Sequence, residues 1–124
     1  MLSGVDIVQN ERIKRMLSRS PHAIKDIFSS KEIEYCSKKK YPEQSFGARF
    51  AAKEAIIKAT DSSIFDYHLY EIETLNTESG KQELVINSQK LKDKIQQLLL
   101  KEDYKVNVSL SHEKEYSIAQ VIIF

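Results

Sequence analysis

The feature that most constrains the fold is a helix-forming segment near the middle of the chain. It runs from about Glu43 to Thr60, reads EQSFGARFAAKEAIIKAT, and is rich in alanine and free of internal proline. Alanine has the highest helix propensity and proline the lowest, so this composition predicts one long helix. Phe46, Phe50 and Ile57 fall near one stripe of that helix, which should therefore pack against the rest of the protein.

Length and composition predict one domain around this helix. The 124 residues suffice for one hydrophobic core, and 41% hydrophobic with 30% charged residues is ordinary for a globular protein. The sequence has no internal repeat, and no apolar run approaches the ~20 residues needed to span a bilayer. We therefore expect a single domain over residues 1–124 with no membrane association.

The N-terminus and the cysteine content favour a cytoplasmic protein. Residues 1–6, MLSGVD, lack the basic region of a signal peptide and place an acid early. Cys36 is the one cysteine in the chain, so no intramolecular disulfide forms. We expect Cys36 to pack as a small hydrophobic side chain.

Three shorter helices are expected before the central one, because asparagine, serine and proline stand where helices commonly begin. A capping box, in which serine and glutamate satisfy each other's backbone groups, marks the third of them. The first helix should be capped by Asn10. The second should begin at Ser20-Pro21 and end at Phe28. The third should begin with the capping box of Ser29–Glu32 and continue to about Lys40, and Pro42 should end it.

The second half of the chain alternates as strands do, apart from one more helix. That helix, Gln89–Glu102, should be capped by Ser88 and bury Leu91, Ile95, Leu98 and Leu99. The expected strands are Leu2–Val8, His68–Asn76, Glu83–Asn87, Tyr104–His112 and Tyr116–Phe124. The last strand is apolar on both faces, which predicts a central strand or one in a subunit interface. Early helices and late strands predict an α+β fold.

Charge is distributed unevenly along the chain. Residues 1–60 hold twelve basic and seven acidic side chains, a net +5, whereas residues 61–124 hold seven and eleven, a net −4. A basic first half favours an acidic or phosphorylated partner, and chance asymmetry of solvated faces is the alternative. A nucleic-acid-binding domain would need a larger excess and aromatic platforms, so we expect no nucleic-acid partner.

Asp6, Glu54 and Lys58 are the first candidates for chemistry. Glu54 and Lys58 stand four apart and share one helix face, as in an ordinary exposed ion pair. Asp6 lies near the end of an almost wholly apolar strand, where it is either a turn aspartate or an oxygen ligand for Mg²⁺. Magnesium sites on phosphate substrates use one or two carboxylates, which Asp6 and Glu54 would supply if the strand end meets the helix.

Ser111 and His112 close the strand expected over Tyr104–His112. His112 is either an ordinary surface histidine or a contact to a ligand phosphate, and Ser111 adds a hydroxyl donor. The sequence has no P-loop, no Gly-x-Gly-x-x-Gly and no Ser-His-Asp arrangement. Taken singly, these signals leave the function open.

Three stretches, taken together and in order, resemble the signature segments of holo-[acyl carrier protein] synthases. They are GVDIVQNERI, RFAAKEAIIKA and VSLSHEKEYSIAQVII, and the resemblance extends over nearly the whole chain. The central stretch carries the KEAxxK core of the 4'-phosphopantetheinyl transferase superfamily, and SHEKEY narrows the match to its short bacterial branch. The resemblance implies the 4'-phosphopantetheinyl transferase fold, an antiparallel sheet packed with helices around one long central helix.

The resemblance also implies an activity. Family members transfer the 4'-phosphopantetheine group of coenzyme A to a serine of apo acyl carrier protein in fatty acid biosynthesis, and 3',5'-ADP leaves. Asp6, Glu54 and Lys58 would be catalytic, with Asp6 and Glu54 as ligands of Mg²⁺ and Lys58 on the phosphates.

The same resemblance assigns binding surfaces and an assembly. The residues expected to bind coenzyme A are Arg49, Lys58, Ser111 and His112. The residues expected to contact the carrier protein are Arg12, Met16 and Arg19. The implied assembly is a homotrimer with its active sites at subunit interfaces.

One loop departs from the family pattern. Family members usually have glycines just after the KA of the central motif, where this chain reads Thr60-Asp61-Ser62-Ser63-Ile64. Glycine lets a backbone approach a ligand closely, so its absence puts the coenzyme A cleft in question. The alternatives are a non-catalytic relative that binds coenzyme A or the carrier protein, and a metal-dependent nucleotide hydrolase.

Overall fold

The predicted central helix forms the axis of the fold, and it differs from the expectation by one residue at each end. The computed structural model describes residues 1–124, and its α+β class is the expected one. The helices are α1 (Asn10–Arg19), α2 (Pro21–Ile27), α3 (Ser30–Ser37), α4 (Pro42–Ala59) and α5 (Gln89–Leu99). The strands are β1 (Leu2–Gln9), β2 (Ile72–Asn76), β3 (Gln82–Ile86), β4 (Val106–His112) and β5 (Tyr116–Ile123).

Two antiparallel sheets flank α4. The larger has the strand order β1-β5-β4, so the last strand is central, which was one of the two alternatives that its apolar sequence predicted. In the smaller sheet, β2 pairs with β3 through a turn at Gly80, whose φ of +84° glycine adopts without strain. None of the helices is both long and apolar enough to cross a membrane.

The larger sheet has one buried face and one exposed face. On β5, Ala119, Val121 and Ile123 are fully buried on the side of the sheet that packs on α4. On the other side, Ile118 pairs with Ile7 of β1, and both side chains are exposed. The strand is therefore apolar on both faces, although only one face is covered within this chain.

A glycine allows β1 to approach α4 very closely. A Cβ at Gly4 would lie 2.0 Å from the carbonyl oxygen of Ala55 and 2.9 Å from the backbone nitrogen of Ala59. The backbone of β1 therefore touches the last turns of α4, which brings this strand against the part of the helix that carries the candidate site.

Asn10 does not cap the first helix, contrary to the expectation. It is the first residue of α1, and its side chain bonds across the molecule instead. Asn10 Nδ2 donates to the carbonyl oxygen of Glu113 at 2.8 Å, and Ser117 Oγ donates to Asn10 Oδ1 at 2.6 Å. The asparagine thus joins β1 and α1 to the β4–β5 turn, because a buried amide must satisfy its donors and acceptor wherever partners exist.

Proline and serine mark helix boundaries differently from the expectation. Pro42 does not end the third helix, which stops at Ser37; it occupies the first turn of α4, where its missing N–H costs nothing. Ser20 precedes α2 as expected but forms no side-chain cap. The capping box of Ser29 with Glu32 is present, and Ser88 caps α5 by accepting from Leu91 N.

Three elements in the second half are shorter than expected by at least two residues. One of them is the strand expected over Tyr104–His112, which starts only at Val106. The strand expected over His68–Asn76 starts only at Ile72, because Leu69–Glu71 form a 3-10 turn. The fourth helix ends at Leu99, and Leu98 is 45% exposed where the stripe predicted burial. Leu91 and Ile95 are the fully buried residues of this helix, and Leu99 is half-buried against the core.

Candidate active site

The structure brings Asp6, Glu54 and Lys58 together. Lys58 Nζ donates to Asp6 Oδ1 at 2.8 Å and to the carbonyl oxygen of Val5 at 3.2 Å. The Lys58 side chain is 55% exposed, whereas that of Asp6 is 15% exposed. Asp6 lies within β1 and not near its end, because the strand continues to Gln9. The middle of β1 thus meets the last turns of α4, as a shared magnesium site would require.

The electrostatics tie Glu54 to the same pair. Burial raises the pKa of Glu54, and the negative charge of Asp6 raises it further, while Lys58 lowers it. The hydrogen bond and the charge of Asp6 raise the pKa of Lys58. Two carboxylates and one ammonium group therefore interact electrostatically between helix and strand, and the group has an excess of negative charge.

This donor set fits Mg²⁺ bound together with a phosphate ligand. Asp6 and Glu54 are hard oxygen donors, and their mutual repulsion is the kind that a divalent cation relieves. No cluster of three or more histidine, cysteine, aspartate or glutamate side chains is positioned to hold a metal. A cation at Asp6 and Glu54 therefore needs further oxygens from a ligand or water, as Mg²⁺ usually does.

Arg49 lies away from these three residues. It is nine residues before Lys58, about 13 Å along the helix axis, and on another face. Its side chain is 3% exposed, its Nη1 donates to the carbonyl oxygen of Ser45 at 3.3 Å, and its guanidinium stacks 4.5 Å from the ring of Tyr35. Arg49 Nε has no hydrogen-bond partner.

Ser111 and His112 lie at the opposite edge of the sheet from Asp6. They end β4, whereas Asp6 is on β1, and β5 separates the two strands. His112 Nδ1 lies 3.0 Å from Gln44 Oε1, in the first turn of α4. Gln44 and Lys58 are fourteen residues apart, about 21 Å along the axis. One chain therefore does not gather its expected coenzyme A residues into one site.

The residues expected to meet a carrier protein form a stripe on α1. Arg12, Met16 and Arg19 follow each other at spacings of four and three, so they share one face. Both arginines are exposed and neither forms an ion pair, while Met16 packs partly against the core. This stripe offers free positive charge around a small apolar centre.

The expectation missed a buried ion pair between Glu32 and Lys53. Lys53 Nζ donates to Glu32 Oε1 at 2.6 Å, to the carbonyl oxygen of Leu69 at 3.1 Å and to that of Ile72. Both side chains are at most 1% exposed. Because all three donors of the ammonium are used, this first lysine of the KEAxxK core is a structural residue.

A signal for this pair was present in the sequence. Lys53 continues the stripe of Phe46, Phe50 and Ile57 at helical spacing, so that pattern places it on the buried face. A lysine on such a face requires an acidic partner, but the sequence does not tell which acid supplies it. In the sequence, the capping box already accounted for Glu32, so no further partner of its carboxylate was expected.

A sizeable cavity lies away from the candidate site. A volume of about 720 Å³ lies between α2, α3 and the β2–β3 sheet, lined by residues that include Phe28, Ile33 and Tyr70. Its lining contains none of Asp6, Glu54 and Lys58. The candidate site is therefore identified by the chemistry of its side chains and not by a cavity within one chain.

Cys36 is buried as expected and takes no part in this site. Its side chain is fully buried, and burial raises the pKa of its thiol to about 11. A thiol that stays protonated at neutral pH is neither a good nucleophile nor a ready metal ligand.

Comparison with known proteins identifies relatives over the whole chain. Residues 3–121 match the model of the 4'-phosphopantetheinyl transferase superfamily. A holo-[acyl-carrier-protein] synthase of Clostridium botulinum (strain Alaska E43 / Type E3) is 38% identical over 120 residues, which cover 97% of this chain and 94% of that protein.

Solved structures agree with the sequence comparison. A holo-(acyl-carrier-protein) synthase from Bacillus anthracis in complex with CoA (3',5'-ADP) is 28% identical, with a TM-score of 0.76, and covers 98% of this chain and 94% of its own. The ACPS-CoA complex of Chronobacterium ammoniagenes is 25% identical, with a TM-score of 0.82 and coverage of 98% and 95%.

Proposed function

This chain belongs to the holo-[acyl-carrier-protein] synthases of the 4'-phosphopantetheinyl transferase superfamily, and we propose that Asp6, Glu54 and Lys58 carry its reaction. The enzyme transfers the 4'-phosphopantetheine group of coenzyme A to a serine of apo acyl carrier protein. The observation that supports the site is the meeting of the strand carboxylate with the helical glutamate and lysine.

The transfer breaks one phosphorus–oxygen bond and forms another. The serine oxygen attacks the β-phosphorus of coenzyme A, and the bond from that phosphorus to the bridging oxygen breaks as 3',5'-ADP leaves with the bonding electrons. Such transfers depend on positioning and charge more than on covalent help from the protein. Lys58 is exposed, so it is free to bind the phosphoryl oxygens, and Glu54, acting through a water molecule, is the acceptor for the serine proton.

We place Mg²⁺ at Asp6 and Glu54. When bound there, it supplies positive charge that offsets the diphosphate and polarises the phosphoryl oxygens. Lys58 keeps Asp6 in place through its 2.8 Å bond, and the close approach at Gly4 holds the strand against the helix. The protein thus orients the Asp6 carboxylate against α4 before a ligand arrives.

We propose a homotrimer in which a neighbouring copy completes each site. Arg49, Ser111 and His112 are separated from Lys58 in one chain, so a ligand that touches both groups must lie between copies. Val5, Ile7 and Ile118 form an exposed apolar patch on the uncovered sheet face, which a second copy would bury.

We assign α1 to the carrier protein. Arg12 and Arg19 are exposed and free of ion pairs, and Met16 lies between them. An acidic carrier surface would be attracted to this stripe from solution and oriented by it. We further propose a role in fatty acid biosynthesis in the cytoplasm, as a single domain over residues 1–124; the buried, protonated Cys36 suits a reducing compartment.

Release of 3',5'-ADP distinguishes this function from its alternatives. Incubation with coenzyme A and Mg²⁺ should release 3',5'-ADP only when apo acyl carrier protein is present. Release without the carrier would indicate a hydrolase, and binding of coenzyme A without release in either case would indicate a non-catalytic relative. A carrier whose serine is replaced by alanine is the matched control and should give no product.

A further inference from the structure

Gln44, in the first turn of α4, contacts two residues that face each other across β4 and β5. His112 of β4 and Ser117 of β5 are direct partners in the sheet, so their side chains lie on the same face. Ser117 Oγ lies 3.1 Å from the carbonyl oxygen of Gln44, and His112 Nδ1 lies 3.0 Å from Gln44 Oε1. The glutamine therefore meets this end of the sheet with both its main chain and its side chain.

Core packing holds the backbone that carries Gln44. The next residues of α4, Ser45 and Phe46, are buried, and the ring of Phe46 packs edge-on against that of Phe28 with 4.8 Å between the centroids. Ser117, on the side of the sheet, is fully buried as well. The half-buried Gln44 side chain thus reaches the exposed His112 from a part of the helix that cannot shift without disturbing the core.

The bond to Gln44 determines which ring nitrogen of His112 carries hydrogen. Gln44 Oε1 is a carbonyl oxygen and can only accept, so His112 Nδ1 is the donor. The other nitrogen, Nε2, is then the one left for a ligand. A phosphate oxygen can also only accept, so His112 can bind it through Nε2 only when both ring nitrogens carry hydrogen, that is, as imidazolium.

Arg49, another residue expected to bind coenzyme A, is tied to the same turn of α4. Its Nη1 donates to the carbonyl oxygen of Ser45, the residue after Gln44, at 3.3 Å. Guanidinium and imidazolium groups both bind phosphate oxygens by donating N–H. The beginning of α4 therefore holds two phosphate-binding groups, at the opposite end of the helix from Lys58.

We propose that Gln44 is a positioning residue: it accepts from His112 Nδ1 and thereby directs His112 Nε2 toward a phosphate oxygen of coenzyme A. The kinetic part of this inference rests on the proposed function, in which His112 binds coenzyme A. Gln44 acts through His112 and not on the ligand itself. In the complex, Gln44 and the phosphate satisfy the two N–H groups of the ring between them.

Nitrogen-15 NMR of the His112 ring tests this orientation without any transfer reaction. In the ligand-free wild type, the neutral ring should carry its hydrogen on Nδ1, and added coenzyme A should place hydrogen on both nitrogens. Gln44→Leu should lose the preference for Nδ1, whereas Gln44→Glu, which keeps an acceptor oxygen at the same reach, should retain it. Hydrogen on Nε2 in the ligand-free wild type, or an unchanged ring in Gln44→Leu, would overturn the proposal.

Steady-state kinetics test whether the orientation serves the ligand. Gln44→Leu should raise the KM for coenzyme A about 3- to 10-fold, the effect of one weakened hydrogen bond, and leave kcat nearly unchanged. In a His112→Ala background, Gln44→Leu should cause no further rise, because the two residues act as one unit. Gln97→Leu, at an exposed glutamine of α5, is the matched control and should change neither the KM nor the ring spectrum.

Two kinetic results would contradict the role of Gln44. A KM that stays unchanged in Gln44→Leu would show that the orientation does not serve the ligand. A rise that persists without His112 would show that Gln44 acts by another route. If the wild-type protein transfers nothing, the proposed function fails, and the NMR spectra still decide whether Gln44 orients His112.

Discussion

At the scale of the residue, two lysines five positions apart on α4 have opposite environments. Lys53 is buried and all three of its hydrogen-bond donors are used, whereas Lys58 is exposed and forms an ion pair with Asp6. The sequence placed both on one helix and indicated chemistry only for Lys58 by its resemblance to a family. The partner of Lys53 comes from α3, twenty-one residues away, which local periodicity does not reveal.

We expect Lys53→Met to destabilise the protein strongly with little direct effect on chemistry. Methionine fills the space but leaves Glu32 charged and buried without a partner, at a cost of about 3–5 kcal/mol. Lys58→Met should change the free energy of unfolding by less than about 1 kcal/mol, because its pair is partly exposed, yet abolish most transfer. Urea denaturation with an activity assay separates the two variants, and equal stabilities would contradict this account.

Glu54 gives the metal-free protein a pH-dependent stability. Its folded pKa is raised, so the stability that it contributes is present below its unfolded pKa and is lost as pH rises through the folded value. In EDTA, Glu54→Gln should therefore melt higher than wild type at neutral pH, and the difference should shrink as the pH falls. Mg²⁺ should raise the melting temperature of the wild type only; a difference in EDTA that does not vary with pH would contradict the raised pKa.

At the scale of the element, helices and strands follow mostly from local sequence. The alanine-rich segment, the capping box at Ser29 and the Ser88 cap all formed where propensity and hydrogen-bonding chemistry predicted. The expectations were wrong where a contact with a distant part of the chain determines the local structure. Asn10 bonds to the β4–β5 turn and not to its own helix, and no local pattern reveals a partner over one hundred residues away.

Two helices end in a left-handed residue that is not glycine. Leu100 follows α5 with a φ of +56° and is 90% exposed, and Asp61 follows α4 with a φ of +49°. Leucine tolerates this conformation worse than aspartate, so Leu100→Gly should stabilise the protein by about 1 kcal/mol and Asp61→Gly by less. Chemical denaturation should give that order, and a destabilising Leu100→Gly would contradict the strain.

At the scale of the whole molecule, the candidate site is divided between opposite edges of one sheet. The candidate residues on both edges were identified from the sequence. Their separation depends on the strand order β1-β5-β4, in which the last strand pairs with the first. The expectation of subunit-boundary sites came from the resemblance alone. The geometry of one chain supports it, because His112 and Lys58 are far apart along α4.

The exposed sheet face should hold the trimer together. Ile118→Asp places a charge in the apolar patch with Val5 and Ile7, so we expect monomers in light scattering and loss of transfer, with the far-UV circular dichroism unchanged. Asp103→Asn, at an exposed position outside the sheet, is the control and should leave the assembly intact. A fully active Ile118→Asp monomer would contradict a site completed by a neighbouring copy.

We propose that this protein uses Asp6, Glu54 and Lys58 to modify a carrier-protein serine. The most direct measurement is the intact mass of an apo acyl carrier protein after incubation with the enzyme, coenzyme A and Mg²⁺. We expect the mass of one phosphopantetheine group to be added at the serine, and to be absent with EDTA or with Asp6→Ala. A folded, trimeric wild-type enzyme that adds no mass to any of several carriers, or an Asp6→Ala variant that adds it at the full rate, would contradict the account.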